Sequence, residues 1–197
     1  ANFSHSVTFA AEYATLHLGY KVAIPAGVEA YVVSEVADWA KLVEVEGVIP
    51  AATPVILKKT GEDATYNFVY TSDAAAEIGT NLLEGSIANR YVVGAAYVLA
   101  NGEEGIGLYK AELNKNATGE AGNTHFKNNA NKAYLPVAAG SSLTAAFYGF
   151  NWDGTTGVEN VEVENVVKTI YDLTGRKVET ISAPGIYIIN GVKRVVR

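Results

Sequence analysis

The chain contains no cysteine and no methionine, and only three of its 197 residues are histidine. Without thiols there can be no disulfides, no cysteine nucleophile and no cysteine-based zinc or iron–sulfur centre. The compartment stays open on that ground, because a domain with a full core can live outside the cell without disulfides. No apolar run approaches the roughly 18 residues of a membrane-spanning helix, so no membrane span is expected. No methionine begins the chain, which leads us to expect a mature or truncated product, as after removal of a signal peptide. Charged residues are also scarce, at 18%, and the net charge is −6. A nucleic-acid binder draws its affinity from basic contacts to phosphates, so nucleic acid is not an expected partner. The deficit of positive charge lies in Ala1 to Gly157, with nine Lys and Arg against sixteen Asp and Glu; Val158 to Arg197 has six against five.

What is abundant points to strands. Hydrophobic residues make up 49% of the chain, with 19 glycines and 12 tyrosines, a balance that excludes disorder and favours β structure. Ala14 to Leu18 and Lys41 to Glu46 alternate apolar with polar residues, Val43 and Val45 being expected inside and Glu44 and Glu46 outside. Val55-Ile56-Leu57 is short and wholly apolar, as a buried strand would be. Tyr66, Phe68 and Tyr70 share one face of another strand. Tyr97 to Lys110 reads as a hairpin, with Asn101-Gly102 and Gly105 expected to supply positive φ. One helical turn is expected at Asp73 to Glu77, a long loop over Glu112 to Asn131, and one strand over Leu143 to Phe150. The fold class is therefore all-β, an antiparallel β-sandwich with an open β-barrel as the alternative.

Asn151 to Gly157 is rich in turn-forming residues and marks the expected boundary between a main body, 1–157, and a short C-terminal β element, 158–197. In the second part Asn190-Gly191 separates two apolar runs, the strongest short signal for a β-hairpin.

Two stretches carry a resemblance. Tyr97-Val-Leu-Ala-Asn-Gly102 followed by Gly105-Ile-Gly-Leu-Tyr-Lys110, and then Asn131-Lys-Ala-Tyr-Leu-Pro136, resembles a β-rich module near the C-terminus of secreted Bacteroidetes proteins. Tyr171-Asp-Leu-Thr-Gly-Arg-Lys-Val178 and Pro184-Gly-Ile-Tyr-Ile188 resemble the end of type IX secretion C-terminal sorting domains. The resemblance implies a secreted or outer-surface location and a secretion machinery as partner. It implies no reaction.

No catalytic constellation is expected, and neither a cofactor nor a metal. His5, His17 and His125 lack a repeated ligand spacing. The Gly102 to Gly107 segment departs from the dinucleotide-binding fingerprint and precedes a strand instead of a helix. Ser141-Ser142 forms no nucleophile elbow. The pairs Glu44/Glu46 and Glu162/Glu164 lie on single strand faces, whereas glycosidase acids oppose each other across a cleft. Asn151, Asp153 and Thr155 alternate like calcium ligands but lack the glycine and distal glutamate of that loop, so a tight turn is the better account. The remaining candidates are aromatic. Trp39, Trp152, Tyr109 and Tyr148 could form a platform for sugar stacking, because aromatic faces cover the apolar faces of sugars. Two functions are therefore expected to compete. The first is a non-catalytic exported or cell-surface module of adhesion or attachment type with a sorting-like C-terminus, its partner a surface glycan or protein. The alternative is a glycan-binding module of a carbohydrate-processing system.

Overall fold

The computed structural model describes residues 3–113, 125–138 and 141–152, together with strands at 170–172, 177–178, 185–189 and 192–196. The described residues form strands and connections without a helix, and no sheet closes into a barrel, so the protein is an all-β sandwich. The chain divides into two compact units, 1–156 and 157–197.

Two five-stranded sheets frame the first unit. One places β4 (Val28–Val36) at its centre, with β5 (Ala40–Val45) and β16 (Phe150–Trp152) on one side and β7 (Val55–Lys59) and β2 (Tyr13–Leu16) on the other. The other places β11 (Ala96–Gly102) at its centre, between β12 (Gly105–Lys110) with β15 (Phe147–Tyr148) and β14 (Lys132–Pro136) with β9 (Glu84–Ser86). Pairing is antiparallel except where β16 runs parallel to β5.

Successive side chains of a strand point to opposite faces, and the first sheet is buried on both. Tyr31, Val33, Leu42 and Ile56 meet Tyr97, Leu108, Leu135 and Tyr148 in the core between the five-stranded sheets. Ala30, Val32, Val55 and Leu57 face the other way, into a second core. That core is closed by Val7, Tyr66 and Phe68 from the pair β1 (Ser4–Thr8) and β8 (Thr65–Val69), and by Val22 and Ile49 from β3 (Val22–Ala23) and β6 (Val48–Ile49). This two-sided burial explains why Val55-Ile56-Leu57 shows no alternation: all three are fully buried, and a polar residue at any of them would face a core. A smaller cluster on the second sheet joins Ala96 and Tyr134 to Val92 and Phe126 of β10 (Arg90–Val93) and β13 (His125–Asn128).

Several expectations are corrected. Asp73 to Glu77 forms no helical turn. Its backbone is engaged by distant groups: Lys21 Nζ donates to the carbonyls of Ser72 and Asp73, and the Ala76 amide donates to Val48 O. Within the expected loop 112–131 lies a strand, β13, which pairs alongside β10 with Phe126 and Asn128 turned inward; residues 114–124 lie outside the described part. The run Leu143 to Phe150 is not one strand. Its first residues are irregular, and Gly149 separates β15 from β16, which belong to different sheets. Val43 is 42% exposed, and Leu42 is the buried residue there. Tyr70 shares parity with Tyr66 and Phe68 but lies beyond the end of β8 and is exposed. In the β11–β12 hairpin Gly102 pairs with Gly105, and of the two only Gly105 takes positive φ.

In the second unit, β17 (Ile170–Asp172), β18 (Lys177–Val178), β19 (Gly185–Ile189) and β20 (Val192–Val196) form an antiparallel sheet in the order β18-β17-β19-β20. Ile189 pairs with Val192, so the connection between β19 and β20 is the pair Asn190-Gly191, itself outside the described residues. So are Glu162 and Glu164.

Candidate functional site

The sequence candidates separate on the structure. Leu108 pairs across the strands with Tyr148, and Tyr109 with Phe147. Directly opposed residues share a face, so the first pair turns inward together and the second outward. Tyr148 is a core residue, 4% exposed, with its ring edge-on to Tyr97 at 5.0 Å. It is not available to a ligand. Tyr109 and Phe147 lie on the outer side with ring centroids 4.7 Å apart. Trp152 ends β16, and its side chain lies outside the described residues.

Trp39 joins the outer pair. It sits in the turn between β4 and β5 and is 46% exposed. The Ala40 amide donates to Gly149 O at 2.9 Å, which brings this turn against the chain where it crosses from β15 to β16. The Trp39 ring covers Gly149: a Cβ there would stand 2.6 Å from Trp39 Cζ3 and 3.5 Å from Phe147 Cε1. Phe147 similarly covers Gly107, and Tyr109 covers Gly102. Three aromatic rings, each laid over a glycine that leaves it room, thus form the row Trp39, Phe147, Tyr109.

Glycine in a strand exposes backbone, and an aromatic ring lying over it restores cover. Tyr109 is further held by its hydroxyl, which donates to Gly105 O at 2.8 Å and accepts from the Glu104 amide at 3.1 Å. Such a row offers apolar, quadrupolar ring surface with little entropy left to lose on binding. Sequence inspection missed Phe147. The alternation Phe147-Tyr148 signals that the two face opposite ways, but the partner residues on β12 decide which is outside.

Among the described residues no three His, Asp or Glu side chains cluster so as to hold a metal. Glu44 and Glu46 are exposed. Burial lowers the His17 pKa, and its Nδ1 is enclosed without a hydrogen-bond partner beside Gly85. Burial, and secondly the charge of Lys132, lowers that of His5. His125 lies on β13. Of the tyrosines whose pKa is raised, Tyr31, Tyr97 and Tyr134 donate their hydroxyls within the fold. Burial and then Glu84, whose Oε2 accepts the hydroxyl at 2.7 Å, push Tyr134 up to about 12. Burial followed by the Tyr148 neighbour does the same to Tyr97, which donates to Ala145 O. Comparison with family models, with characterised proteins and with solved structures finds no match for this chain.

Proposed function

We propose that the protein is a non-catalytic module of adhesion or attachment type, exported or displayed at the outer cell surface, whose C-terminal element acts as a sorting signal for a secretion machinery. The observation that carries this reading is the separation of 157–197 as a compact unit with its own antiparallel sheet, in the segment whose motifs resemble a sorting domain. Export signals of this kind work as detachable elements, so truncation after Gly157 in the native host should leave a folded body stranded in the periplasm. Continued delivery of the truncated chain to the surface would refute the sorting role.

A second reading, glycan binding, is favoured by the row Trp39, Phe147 and Tyr109. The exposed Trp39 ring and the half-buried rings of Phe147 and Tyr109 offer flat surface for the apolar face of a pyranose, with geometry set before any ligand arrives. A glycan array should then show signals that Trp39→Ala and Phe147→Ala abolish. Signals unchanged by these two substitutions would exclude the row as the binding surface.

A further inference from the structure

A cleft shares no residue with the aromatic row, although Val98, which lines it, pairs across the strands with Tyr109. It consists of two adjoining hollows of about 370 and 200 Å³ that share Thr8, Thr15 and Lys132. The larger also reaches Lys127 and Asn129, and the smaller His5 and Asn131. Among the described residues no aspartate or glutamate lines either hollow, in a chain where acidic residues outnumber basic ones by 21 to 15.

Lys132 is held in place from both sides. The turn that carries it has Asn131 at φ 60°, with the Asn131 amide donating to Ser86 O at 2.7 Å and its carbonyl accepting from the His17 amide at 3.0 Å. Asn128 Nδ2 donates to Lys132 O at 3.0 Å and to Ser86 Oγ at 2.8 Å, and the Ala130 amide donates to Asn89 Oδ1. The next residue, Ala133, donates its amide to Thr15 Oγ1. Lys132 keeps an open face to solvent, while atoms packed around its ammonium lower its pKa by desolvation. These hydrogen bonds fix the backbone of Lys132, and its exposed side chain lines, with Lys127, a cleft whose other described polar residues are threonine, asparagine, serine, tyrosine and histidine.

We propose that this cleft binds a sugar acid, its carboxylate on Lys132 and its hydroxyls among Thr8, Thr15, Asn129 and Asn131. One ammonium suits one carboxylate, and hydroxyl and amide side chains pair with ring hydroxyls better than with a bare inorganic ion. The larger hollow has the size of a small-ligand site. Lys127, which also lines the larger hollow, adds a second positive charge.

The test uses D-galacturonate, D-galactose and sodium sulfate as probes, followed by amide chemical shifts and calorimetry on the whole chain. Galacturonate should shift the amides of Asn128 to Ala133 and of Thr8 and Thr15, and the affinity should fall as salt rises. Lys132→Gln should weaken it roughly ten- to a hundredfold, the worth of a hydrogen bond to a charged group, with an unchanged melting temperature. Lys132→Arg should retain most of the binding, and Trp39→Ala all of it, which separates this site from the aromatic row. No binding of galacturonate, equal binding of galactose, sulfate binding as tight as galacturonate, or unchanged affinity in Lys132→Gln would each overturn the proposal.

Discussion

Thr15 on β2 and Ala133 on β14 are joined by a hydrogen bond across 118 positions of sequence, the Ala133 amide donating to Thr15 Oγ1 at 3.2 Å. Both residues are buried, and they belong to the two different five-stranded sheets. This side chain thus satisfies a backbone donor of the opposite sheet. Replacing Thr15 by valine keeps the shape and removes the acceptor. A buried amide left without a partner costs about 1–3 kcal/mol, which urea denaturation should register as a lower midpoint with an unchanged slope.

The glycines beneath the aromatic rings are there for room. A Cβ on Gly107 would collide with the Phe147 ring and stand 2.7 Å from Tyr148 O, a backbone atom that cannot swing aside. Gly107→Ala should therefore destabilise the protein by about 1–3 kcal/mol, the usual cost of overpacking, and displace Phe147. Gly79 has open space around its Cβ position and no positive φ. Gly79→Ala should be neutral or stabilise by up to about 1 kcal/mol through the unfolded chain. Thermal melts should show a clear drop for Gly107→Ala and no drop for Gly79→Ala.

Stability should fall on mild acidification. His5 and His17 have folded pKa values below the ordinary 6.5. Below that pH the unfolded chain binds protons that the folded one resists, so the stability these groups contribute is present above 6.5 and is lost as pH falls through their lowered folded values. Urea midpoints measured at pH 8 and at pH 5.5 should differ, and the difference should shrink in the variant carrying His5→Asn and His17→Asn.

At alkaline pH the sign reverses. Tyr13, Tyr97 and Tyr134 are raised from 10.0 to about 12, burial being the first cause in each. A group with a raised folded pKa contributes stability that is complete below the unfolded value and lost as pH climbs through the folded one. Unfolding should therefore become easier between pH 10 and 12, and ultraviolet absorbance should show a set of phenolates that appears only as the chain unfolds. Tyr97→Phe should remove part of that set at the expense of the bond to Ala145 O.

Part of this architecture was legible in the residues. The alternation in Ala14 to Leu18, the apolar run Val55-Ile56-Leu57 and the glycines around Glu103 each mark a strand or a turn by local sterics alone. Long-range contacts overruled local preference elsewhere. Asp73 to Glu77 has residues that a helix accepts, yet Lys21 and Val48 claim its backbone groups. His125 to Asn128 looked like part of a polar loop until β10 gave its backbone a partner.

By itself, then, the sequence determined that this protein is built of strands, because the side-chain period of two, the turn chemistry of glycine and the bulk of valine and tyrosine act between near neighbours. Parity also dictated that Phe147 and Tyr148 face opposite ways. Only the tertiary structure decided that Tyr148 enters the core while Phe147 lies outside between Trp39 and Tyr109, since that choice depends on which face of β15 the sheet opposite covers. It alone brought His5, Thr15 and Lys132 to one cleft. Their meeting depends on how the β1–β8 pair and the two five-stranded sheets pack on one another, and that packing is set by the burial of apolar surface from strands distant in the chain.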